Sequence, residues 1–500
     1  MKDWRKEMNM NEATRVYGPY EGQFIDGVWR AGKFGETLAV INPYSAQQIA
    51  EISLASLEDL DAAYIAAEKA QIEWASIPAS KKREIFLCAV EIVDRRHAEI
   101  VDLIIAESGS TRLKAEMEWA SVRDTFLEVS GIPSRVEGRI MATDVAGKEV
   151  RVHRGPLGVI GIISPWNWPM HLSTRSIAPA LALGNAVVVK PAEETPITGG
   201  LLIAKIYEEA GLPPGVLNVV VGRSAIIGDA FTLHPVPKFI SFTGSTRVGR
   251  HIGQLAMQGP TLKRVGLELG GNAPCVILDD ADLDLAVRGA LFGRFLHQGQ
   301  ICMSTNRIIV DAAIYDDFVS LFVERVSKLT YGDPNLMETN IGPIISKRQL
   351  DGICAKIREA KDAGIHLALG GEPQGQVLPP HVFVDVDNAS ALAQSELFGP
   401  VAPIIKAHGE KHALILANET EFGLSSAVFT RDEGRGLRFA KRLQTGMTHI
   451  NDISVADSPN TMFGGEKNSG IGRFNSDWII AEFTCDHLIT MQSEPRQYPF

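Results

Sequence analysis

Residues 158–190 read GVIGIISPWNWPMHLSTRSIAPALALGNAVVVK, and this stretch decides the fold class. It opens with a short β-branched run at residues 159–163 and closes with another at residues 186–189. The segment between the two runs is long enough for a helix that crosses from one strand to the next. Apolar strands that alternate with helices are typical of a doubly wound parallel sheet with both faces covered.

The same alternation continues on both sides of this unit. Apolar residues spaced by three and four predict amphipathic helices that cover the sheet at residues 57–76 and 81–108. The remaining predictions for the first unit are a hairpin strand at 23–29, a helix from about 196 to 210, and strands at 216–221 and 239–242. A second α/β unit is predicted from the apolar runs at 273–278, 307–310, 402–405 and 426–429.

Two further strand-like segments, residues 149–154 and 486–492, fall outside both units. Such strands need a partner edge, and we expect a second subunit to supply it. The predicted assembly is therefore a homodimer or a homotetramer.

Composition narrows the class of protein. The chain has 500 residues with a net charge of -11 and no compensating basic block, which disfavours nucleic acid or an anionic membrane as partner. Residues 1–21 show no signal-peptide pattern, and no apolar run approaches the ~20 residues of a membrane span. Five scattered cysteines without CxxC spacing predict reduced thiols in the cytoplasm and no bound metal.

Cys302 is the candidate nucleophile. Most unpaired cysteines are buried and inert, and Cys88, Cys275 and Cys354 fit that description. Cys302 differs because Gly299 precedes it and polar residues follow it, which indicates a loop. A thiol in this setting could attack a carbonyl carbon.

Glu268 is the candidate base. Flanking leucines and two following glycines predict a partly buried carboxylate rather than a solvated one. His297 is the alternative base, since histidine is the usual partner of a catalytic thiol. Its position five residues before Cys302 in a helical run favours a packed or surface histidine.

Three turns that follow predicted strands carry polar residues. Asn167 either caps the next helix or donates its amide to an oxyanion. Lys190 and Glu193 emerge together at a strand end, where parallel sheets bind ligands and where a ribose diol could bridge them. Residues 242–249, FTGSTRVG, open a helix whose N-terminus favours a phosphate, although an ordinary strand–turn–helix connection remains the alternative.

These motifs, taken in order, carry a family resemblance over nearly the whole chain. The sequence resembles the aldehyde dehydrogenase superfamily, and most closely its vanillin and benzaldehyde dehydrogenase branch, which shares the runs RSIAP at 175–179 and GRF at 472–474. The matching segments are PWN at 165–167, ALALGN at 180–185, KPAE at 190–193, FTGST at 242–246, LELGG at 267–271, GQIC at 299–302, ELFGP at 396–400 and FGG at 463–465.

The resemblance implies a role for each matching residue. Cys302 is the expected nucleophile, Glu268 the base for the hydrolytic water, and Asn167 with the Cys302 backbone N–H the oxyanion hole. The expected NAD-binding residues are Lys190 and Glu193 at the adenosine ribose, Ser245 and Trp166 at the pyrophosphate, Glu396 and Phe398 at the nicotinamide end, and Ile163, Ser164, Gly222, Gly244, Gly249 and Leu269 along the cleft.

The resemblance also implies three structural units. It predicts an α/β fold with a Rossmann-like NAD-binding domain at residues 1–137 and 156–265, a catalytic domain at 266–470, and an oligomerisation segment at 138–155 and 480–500.

One departure from the family concerns the helix after Asn167. The family commonly has a lysine where this chain has Ser176, and Arg175 precedes it. Arg175 could bind a substrate carboxylate or pair with an acidic neighbour at the rim of the tunnel. The predicted substrate tunnel comprises Trp168, Met170, His171, Arg175, Ile301, Met303 and Phe463.

The predicted reaction is NAD-dependent oxidation of an aldehyde to its carboxylic acid through a thiohemiacetal and a thioester on Cys302. Trp168 and Met170 suit an aromatic ring and His171 a ring hydroxyl, so an aromatic aldehyde is the expected substrate. A semialdehyde such as succinate semialdehyde is the alternative. A CoA-acylating enzyme is a further alternative, but that branch lacks the carboxylate of Glu268. A non-catalytic binding protein on the same fold would not need Cys302, Glu268 and Asn167 together.

Overall fold

The computed structural model describes residues 17–500 of the chain. Residues 1–16 lie outside the described residues, and with them most of the N-terminal stretch in which no signal peptide is expected. Within residues 17–500 no helix combines the length and the apolar character that a membrane span requires.

Strands of the described residues fall into five sheets. In chain order they are β1 Gln23–Ile25, β2 Val28–Arg30, β3 Thr37–Ile41, β4 Gln48–Ser53, β5 Arg139–Met141, β6 Lys148–Pro156, β7 Val159–Ile163, β8 Ala186–Lys190, β9 Leu217–Val219, β10 Phe239–Thr243, β11 Arg264–Glu268, β12 Ala273–Ile277, β13 Thr305–Asp311, β14 His366–Leu369, β15 His381–Val384, β16 Val401–Ala407, β17 Phe422–Gly423, β18 Ala427–Phe429, β19 His449–Ile450, β20 Glu466–Lys467, β21 Gly470–Ile471 and β22 Thr484–Gln492.

Helices cover the faces of the two larger sheets. They are α1 Leu57–Ser76, α2 Ala79–Arg95, α3 His97–Ser108, α4 Arg112–Gly131, α5 Pro169–Ala182, α6 Leu202–Glu209, α7 Ser224–Leu233, α8 Thr246–Gln258, α9 Leu283–Phe295, α10 Tyr315–Val326, α11 Lys347–Asp362, α12 Ala391–Gln394, α13 Glu410–Asn418, α14 Glu433–Ala440 and α15 Ser476–Phe483.

The first sheet has the order β2-β1-β9-β8-β7-β10-β11-β21. Its five central strands are β9, β8, β7, β10 and β11, and they run parallel to one another. The hairpin β1–β2 extends the sheet at one edge, where β1 pairs antiparallel with β9. Strands β7 and β8 are almost entirely buried because helices cover both faces. The predicted doubly wound sheet and the predicted hairpin are both confirmed.

The second sheet has the order β14-β15-β16-β13-β12-β18-β19. The four apolar runs predicted as strands are its β12, β13, β16 and β18, which run parallel to their neighbours in this set. The second α/β unit is therefore confirmed as well.

One prediction about local structure is wrong, and the two strands predicted outside both units are confirmed. The expected single helix at residues 81–108 is divided into α2 and α3 at Arg96, whose φ of -99° and ψ of 18° leave the helical region. The predicted strands near residues 149–154 and 486–492 pair with each other as β6 and β22, from Lys148↔Gln492 to Pro156↔Thr484. The chain thus supplies one partner edge for each of these strands itself, and the second subunit at this sheet stays a prediction.

Candidate active site

Three cavities meet at the carboxyl ends of the central strands of the first sheet. An outer cavity of about 960 Å³ lies above β7, β8 and β10, and an inner cavity of about 350 Å³ continues toward the second sheet. A lateral cavity of about 180 Å³ reaches the same point from the side of α4 and α5. The inner and lateral cavities share three lining residues, Asn167, Glu268 and Cys302.

The loop that carries Cys302 has an unusual backbone. His297 and Gln298 adopt φ of 51° and 56°, and Gly299 follows with φ of 73°. A Cβ on Gly299 would lie 2.4 Å from the Gly399 carbonyl oxygen, so only glycine fits there. Arg294 donates to the carbonyl oxygens of Gly299 and Gly399 at 3.2 and 2.5 Å and thereby ties the loop to the second sheet.

His297, the alternative base, lies elsewhere. Its side chain is fully buried and lines none of the three cavities. Burial, with the nearby charge of Lys114, lowers the pKa of His297 well below its ordinary value, so the ring is neutral. The interpretation as a packed histidine is the one that the structure supports.

The thiol of Cys302 faces the carboxylate of Glu268. Its Sγ lies 3.6 Å from Glu268 Oε1, and Glu268 is buried at 1 % exposure rather than only partly buried as expected. Burial and, to a lesser degree, the charge of Glu396 raise the pKa of Cys302 to about 12, against the opposing charge of Arg175. Backbone N–H groups of Cys302 and Met303 also stabilise the thiolate. Glu268 is therefore the nearest proton acceptor for a thiol that does not ionise by itself at neutral pH.

Asn167 lies between β7 and α5 and points at the cysteine loop. Its Nδ2 donates one hydrogen bond to the Gln300 carbonyl oxygen at 3.0 Å. An amide nitrogen carries two hydrogens, so a second N–H remains for a ligand oxygen beside Cys302. Because Trp168 is the N-cap of α5, Asn167 does not cap that helix.

Arg175 is fully buried on α5 rather than at a tunnel rim. Its guanidinium contacts Glu268 Oε2 and lies 3.3 Å from Asp457 Oδ2. It stacks over Phe463, with 4.2 Å from Cζ to the ring centroid. Both acidic partners belong to the protein, which satisfies the charge of the guanidinium without a substrate carboxylate.

The residues predicted for the cofactor lie mostly along the outer and inner cavities. The outer cavity is lined by Ile163, Ser164, Trp166, Lys190, Glu193, Gly244 and Ser245, and the inner cavity by Leu269, Glu396 and Phe398. Gly222 and Gly249 line neither cavity. A Cβ on Gly222 would lie 2.5 Å from Ile227 Cδ1, and one on Gly249 2.2 Å from Leu269 Cδ2, so both glycines allow close packing.

Three of the cavity residues, Lys190, Glu193 and Glu396, already have protein partners. Lys190 Nζ donates to Ser224 Oγ at 2.9 Å, and Glu193 accepts from the Ser224 backbone N–H at 2.8 Å and from Arg223 at 3.2 Å. Glu396 Oε1 accepts from the Gly271 N–H at 2.9 Å, and its burial raises the pKa of Glu396 to about 7. Ser245 caps α8 with its side chain and also lines the outer cavity. The N-terminus of α8 therefore faces this cavity.

Six of the seven predicted tunnel residues line the lateral cavity, namely Trp168, His171, Arg175, Ile301, Met303 and Phe463. Met170 does not, and this prediction is wrong. Its side chain is fully buried in the core because the cavity-facing stripe of α5 runs through residues 171, 172 and 175.

The opposite wall of the lateral cavity consists of residues that the sequence does not predict. Met117 and Ser121 reach it from α4, and residues 455–458 close it from a loop before α15. Asp457 in this loop bonds His171 Nε2 at 3.1 Å and accepts from Asn475 at 2.7 Å. No local pattern marks these residues as part of a cavity wall, because α4 and residues 455–458 reach α5 only through tertiary packing.

Comparison with known proteins supplies the family. The aldehyde dehydrogenase family model matches residues 29–488. A vanillin dehydrogenase of Corynebacterium glutamicum is 51% identical over 465 residues, which is 93% of this chain and 96% of the relative.

Solved structures agree. A NAD-dependent benzaldehyde dehydrogenase from Corynebacterium glutamicum matches with a TM-score of 0.88 and 47% identity over 96% of this chain and 98% of the other. A salicylaldehyde dehydrogenase from Pseudomonas putida G7, complexed with salicylaldehyde, matches with a TM-score of 0.93 and 36% identity over 96% of this chain and 100% of the other. The chain belongs to the aldehyde dehydrogenase family.

Proposed function

We propose that this protein oxidises aromatic aldehydes to carboxylic acids with NAD as the electron acceptor. One observation carries the proposal: a thiol, a carboxylate and a side-chain amide, those of Cys302, Glu268 and Asn167, converge where the inner and lateral cavities meet. An aldehyde would enter through the lateral cavity and reach Cys302 from there. A cofactor would occupy the outer and inner cavities and reach Cys302 from the opposite side.

The outer and inner cavities fit a dinucleotide. The N-terminus of α8 beside Ser245 suits a pyrophosphate, and Lys190 with Glu193 suits the hydroxyls of a ribose. Trp166 and Phe398, whose ring centroids lie 5.3 Å apart, border the inner cavity where a nicotinamide ring would lie. When bound there, NAD supplies the hydride acceptor for the oxidation.

The chain's own groups account for the attack on the aldehyde. Glu268 takes the proton of the Cys302 thiol, and the thiolate adds to the carbonyl carbon to form a thiohemiacetal. The free N–H of Asn167 and the backbone N–H of Cys302 then hold the oxyanion. Loss of hydride from this carbon leaves a thioester on Cys302.

Hydrolysis completes the reaction. Once the thioester has formed, Glu268 releases the thiol proton to solvent and is ionised again. It then deprotonates a water molecule, which adds to the thioester carbon while Asn167 again holds the oxyanion. The C–S bond breaks, the carboxylic acid leaves and the Cys302 thiolate is restored. The carboxylate beside the thiol favours water as the acyl acceptor, in contrast to CoA-acylating enzymes without that carboxylate.

The walls of the lateral cavity favour an aromatic substrate. Trp168 and Phe463 offer ring faces, and Met117 and Met303 offer adaptable apolar contacts. Burial raises the pKa of Asp457, but the His171 hydrogen bond and the Arg175 charge outweigh burial and leave the pKa below its ordinary value. An ionised Asp457 repels a carboxylated semialdehyde. The names of the similar proteins, vanillin, benzaldehyde and salicylaldehyde dehydrogenase, point to the same class.

The test is a substrate panel on the wild type and on Arg175→Ala. We expect kcat/KM for benzaldehyde and vanillin to exceed that for hexanal and succinate semialdehyde. A wild type that prefers succinate semialdehyde, together with a loss of about 2 kcal/mol or more of transition-state stabilisation for this substrate in Arg175→Ala, would establish carboxylate recognition instead.

For the division of the chain into domains, we propose the three structural units expected from the sequence. Residues 1–137 and 156–265 would form the NAD-binding domain, 266–470 the catalytic domain, and 138–155 with 480–500 the oligomerisation segment. Among residues 17–500 the order β22-β6-β5 leaves both outer edges of this small sheet unpaired, and Ile140 and Leu488 on it are 80% and 58% exposed.

We propose that a second copy of the chain packs against that sheet, in a homodimer or a homotetramer. Light scattering of Ile140→Glu and Leu488→Glu tests this, because a buried charge at such an interface should reduce the assembly to smaller species. A wild type of monomer mass would overturn the proposal. The five free cysteines support a reducing compartment, and we propose the cytoplasm.

A further inference from the structure

A buried ion pair lies beside the connection from β7 to α5, which carries Asn167. Lys114 and Glu118, one turn apart on α4, are joined at 2.5 Å, and both side chains are fully shielded from solvent. Neither residue lines any of the three cavities, so neither can touch a substrate or a cofactor there.

Lys114 holds the backbone of the oxyanion residue. Its Nζ donates to the Asn167 carbonyl oxygen at 2.9 Å and lies 4.7 Å from the centroid of the Trp168 ring. Burial lowers the pKa of Lys114, and the charge and hydrogen bond of Glu118 oppose that fall.

Glu118 holds the start of α5. Trp168, the N-cap residue of α5, makes no side-chain cap, and Pro169 has no N–H to satisfy. Glu118 Oε1 instead accepts from the backbone N–H groups of Met170 and His171 at 2.9 and 3.1 Å. A carboxylate at this end of a helix also interacts favourably with the helix dipole.

The pair therefore ties residues 167–171 to α4 by their backbone, while the Asn167 side chain reaches the cysteine loop through the Gln300 carbonyl. A buried ion pair adds little to stability compared with a well-packed apolar pair, so its presence calls for another advantage. Catalysis by a preorganised amide requires that the donor does not move when the oxyanion forms.

We propose that Lys114 and Glu118 are positioning residues for the oxyanion step, in that they fix the Asn167 amide and the start of α5 relative to Cys302. This proposal rests on the proposed function, because it assigns Asn167 to the oxyanion.

A second buried glutamate offers a matched control. Glu107, at the end of α3, is fully buried and accepts from the backbone N–H groups of Ile197 and Thr198 at 2.8 and 2.7 Å. None of these three residues lines the cavities. Ile197 and Thr198 begin the short π-helix Ile197–Leu201 that leads into α6. Glu107→Gln thus also replaces a buried carboxylate that holds the start of a helix, away from the reacting groups.

The experiment compares Glu118→Gln, Lys114→Met and the double variant with Glu107→Gln. Stopped-flow NADH formation with benzaldehyde gives the rate of the first turnover, and steady-state kinetics, NAD binding and Tm are measured in parallel. A displaced oxyanion donor should slow the first turnover by about 10- to 100-fold with unchanged KM and NAD affinity. The double variant should be no slower than the worse single variant, because the two residues act as a unit.

The control separates positioning from stability. Glu107→Gln should lower Tm as Glu118→Gln does and yet keep the wild-type rate of the first turnover. Equal rates in these two variants, or a rise in KM alone for Glu118→Gln, would overturn the proposal. If Glu118→Gln does not fold, Lys114→Met decides, since it keeps the Glu118 carboxylate at the start of α5 and removes the hydrogen bond to Asn167 together with the ion pair and the contact with Trp168. A wild type without NADH formation from any aldehyde would instead refute the proposed function.

Discussion

Cys302 Sγ lies 3.6 Å from Glu268 Oε1, while the other carboxylate oxygen of Glu268 contacts Arg175 and accepts from Thr243 at 3.3 Å. One oxygen is thus directed at the reacting thiol and the other is held by the protein. This division orients the carboxylate with its free lone pairs toward Cys302, where both the thiol proton and a hydrolytic water would be.

Removal of the thiol should abolish the reaction. Cys302→Ala leaves no nucleophile, so we expect turnover to fall by at least about 10³-fold with NAD binding and Tm nearly unchanged. Cys354→Ala is the control, since Cys354 is half-buried on α11 and lines none of the outer, inner and lateral cavities, and it should keep full activity. Turnover of more than a few per cent in Cys302→Ala would show that another residue attacks the aldehyde.

Glu268→Gln should separate the two halves of the reaction. The amide accepts a proton neither from the thiol nor from water, so the first turnover should slow and hydrolysis of the thioester should slow further. NADH should therefore appear as one slowed burst followed by still slower turnover. Rapid-mixing absorbance at the NADH band measures both phases. A burst at the wild-type rate would show that a group other than Glu268 accepts the proton of Cys302.

Arg175 should control the reactivity of the thiol. Burial raises the pKa of Cys302 to about 12 and the Arg175 charge opposes that rise, so Arg175→Met should raise the pKa further. Below its pKa a thiol loses thiolate tenfold for each unit of increase, and the variant should react more slowly with iodoacetamide at every such pH.

In the wild type this alkylation rate should still climb above pH 9.0, the ordinary pKa of cysteine. Arg175→Lys retains the charge and should keep most of the wild-type rate. Equal alkylation rates for Arg175→Met and the wild type would mean that Glu268 and Asp457 fully neutralise the guanidinium.

The sequence was sufficient to find the residues on strand ends. Asn167, Lys190 and Glu268 each lie at or just after a strand of the first sheet, and parallel strands bring their carboxyl ends to one edge. Once the strands are recognised, their proximity follows from topology alone.

Contacts across distant segments could not be found this way. Asp457 reaches His171 over 286 residues, and Lys114 reaches Asn167 over 53, through packing that no local pattern encodes. Met170 is predicted to line the substrate tunnel and does not, because helical spacing defines a face only to within about one residue and the cavity-lining residues of α5 begin at His171. The break at Arg96 carries neither glycine nor proline, and its ion pairs with Glu99 and Glu209 appear only in the folded chain.

The cofactor preference should depend on Glu193 and Arg223 together. Glu193 faces the outer cavity, and its charge should repel the 2′-phosphate of NADP, so kcat/KM with NAD should exceed that with NADP. Arg223 lies 3.2 Å from Glu193 and is half-exposed, which weakens the repulsion and leaves a guanidinium near the same phosphate. Glu193→Gln should therefore raise kcat/KM with NADP by at least about tenfold, equivalent to 1.4 kcal/mol.

Arg223→Ala should act in the opposite direction. Loss of the guanidinium exposes NADP to the full charge of Glu193, so NADP use should fall while NAD use changes little, because a ribose hydroxyl needs no cation. Arg250→Ala, on α8 and outside the outer cavity, is the control and should leave the NAD to NADP ratio of kcat/KM as it is. A wild type that used NADP as well as NAD would show that Lys190 and Arg223 outweigh Glu193.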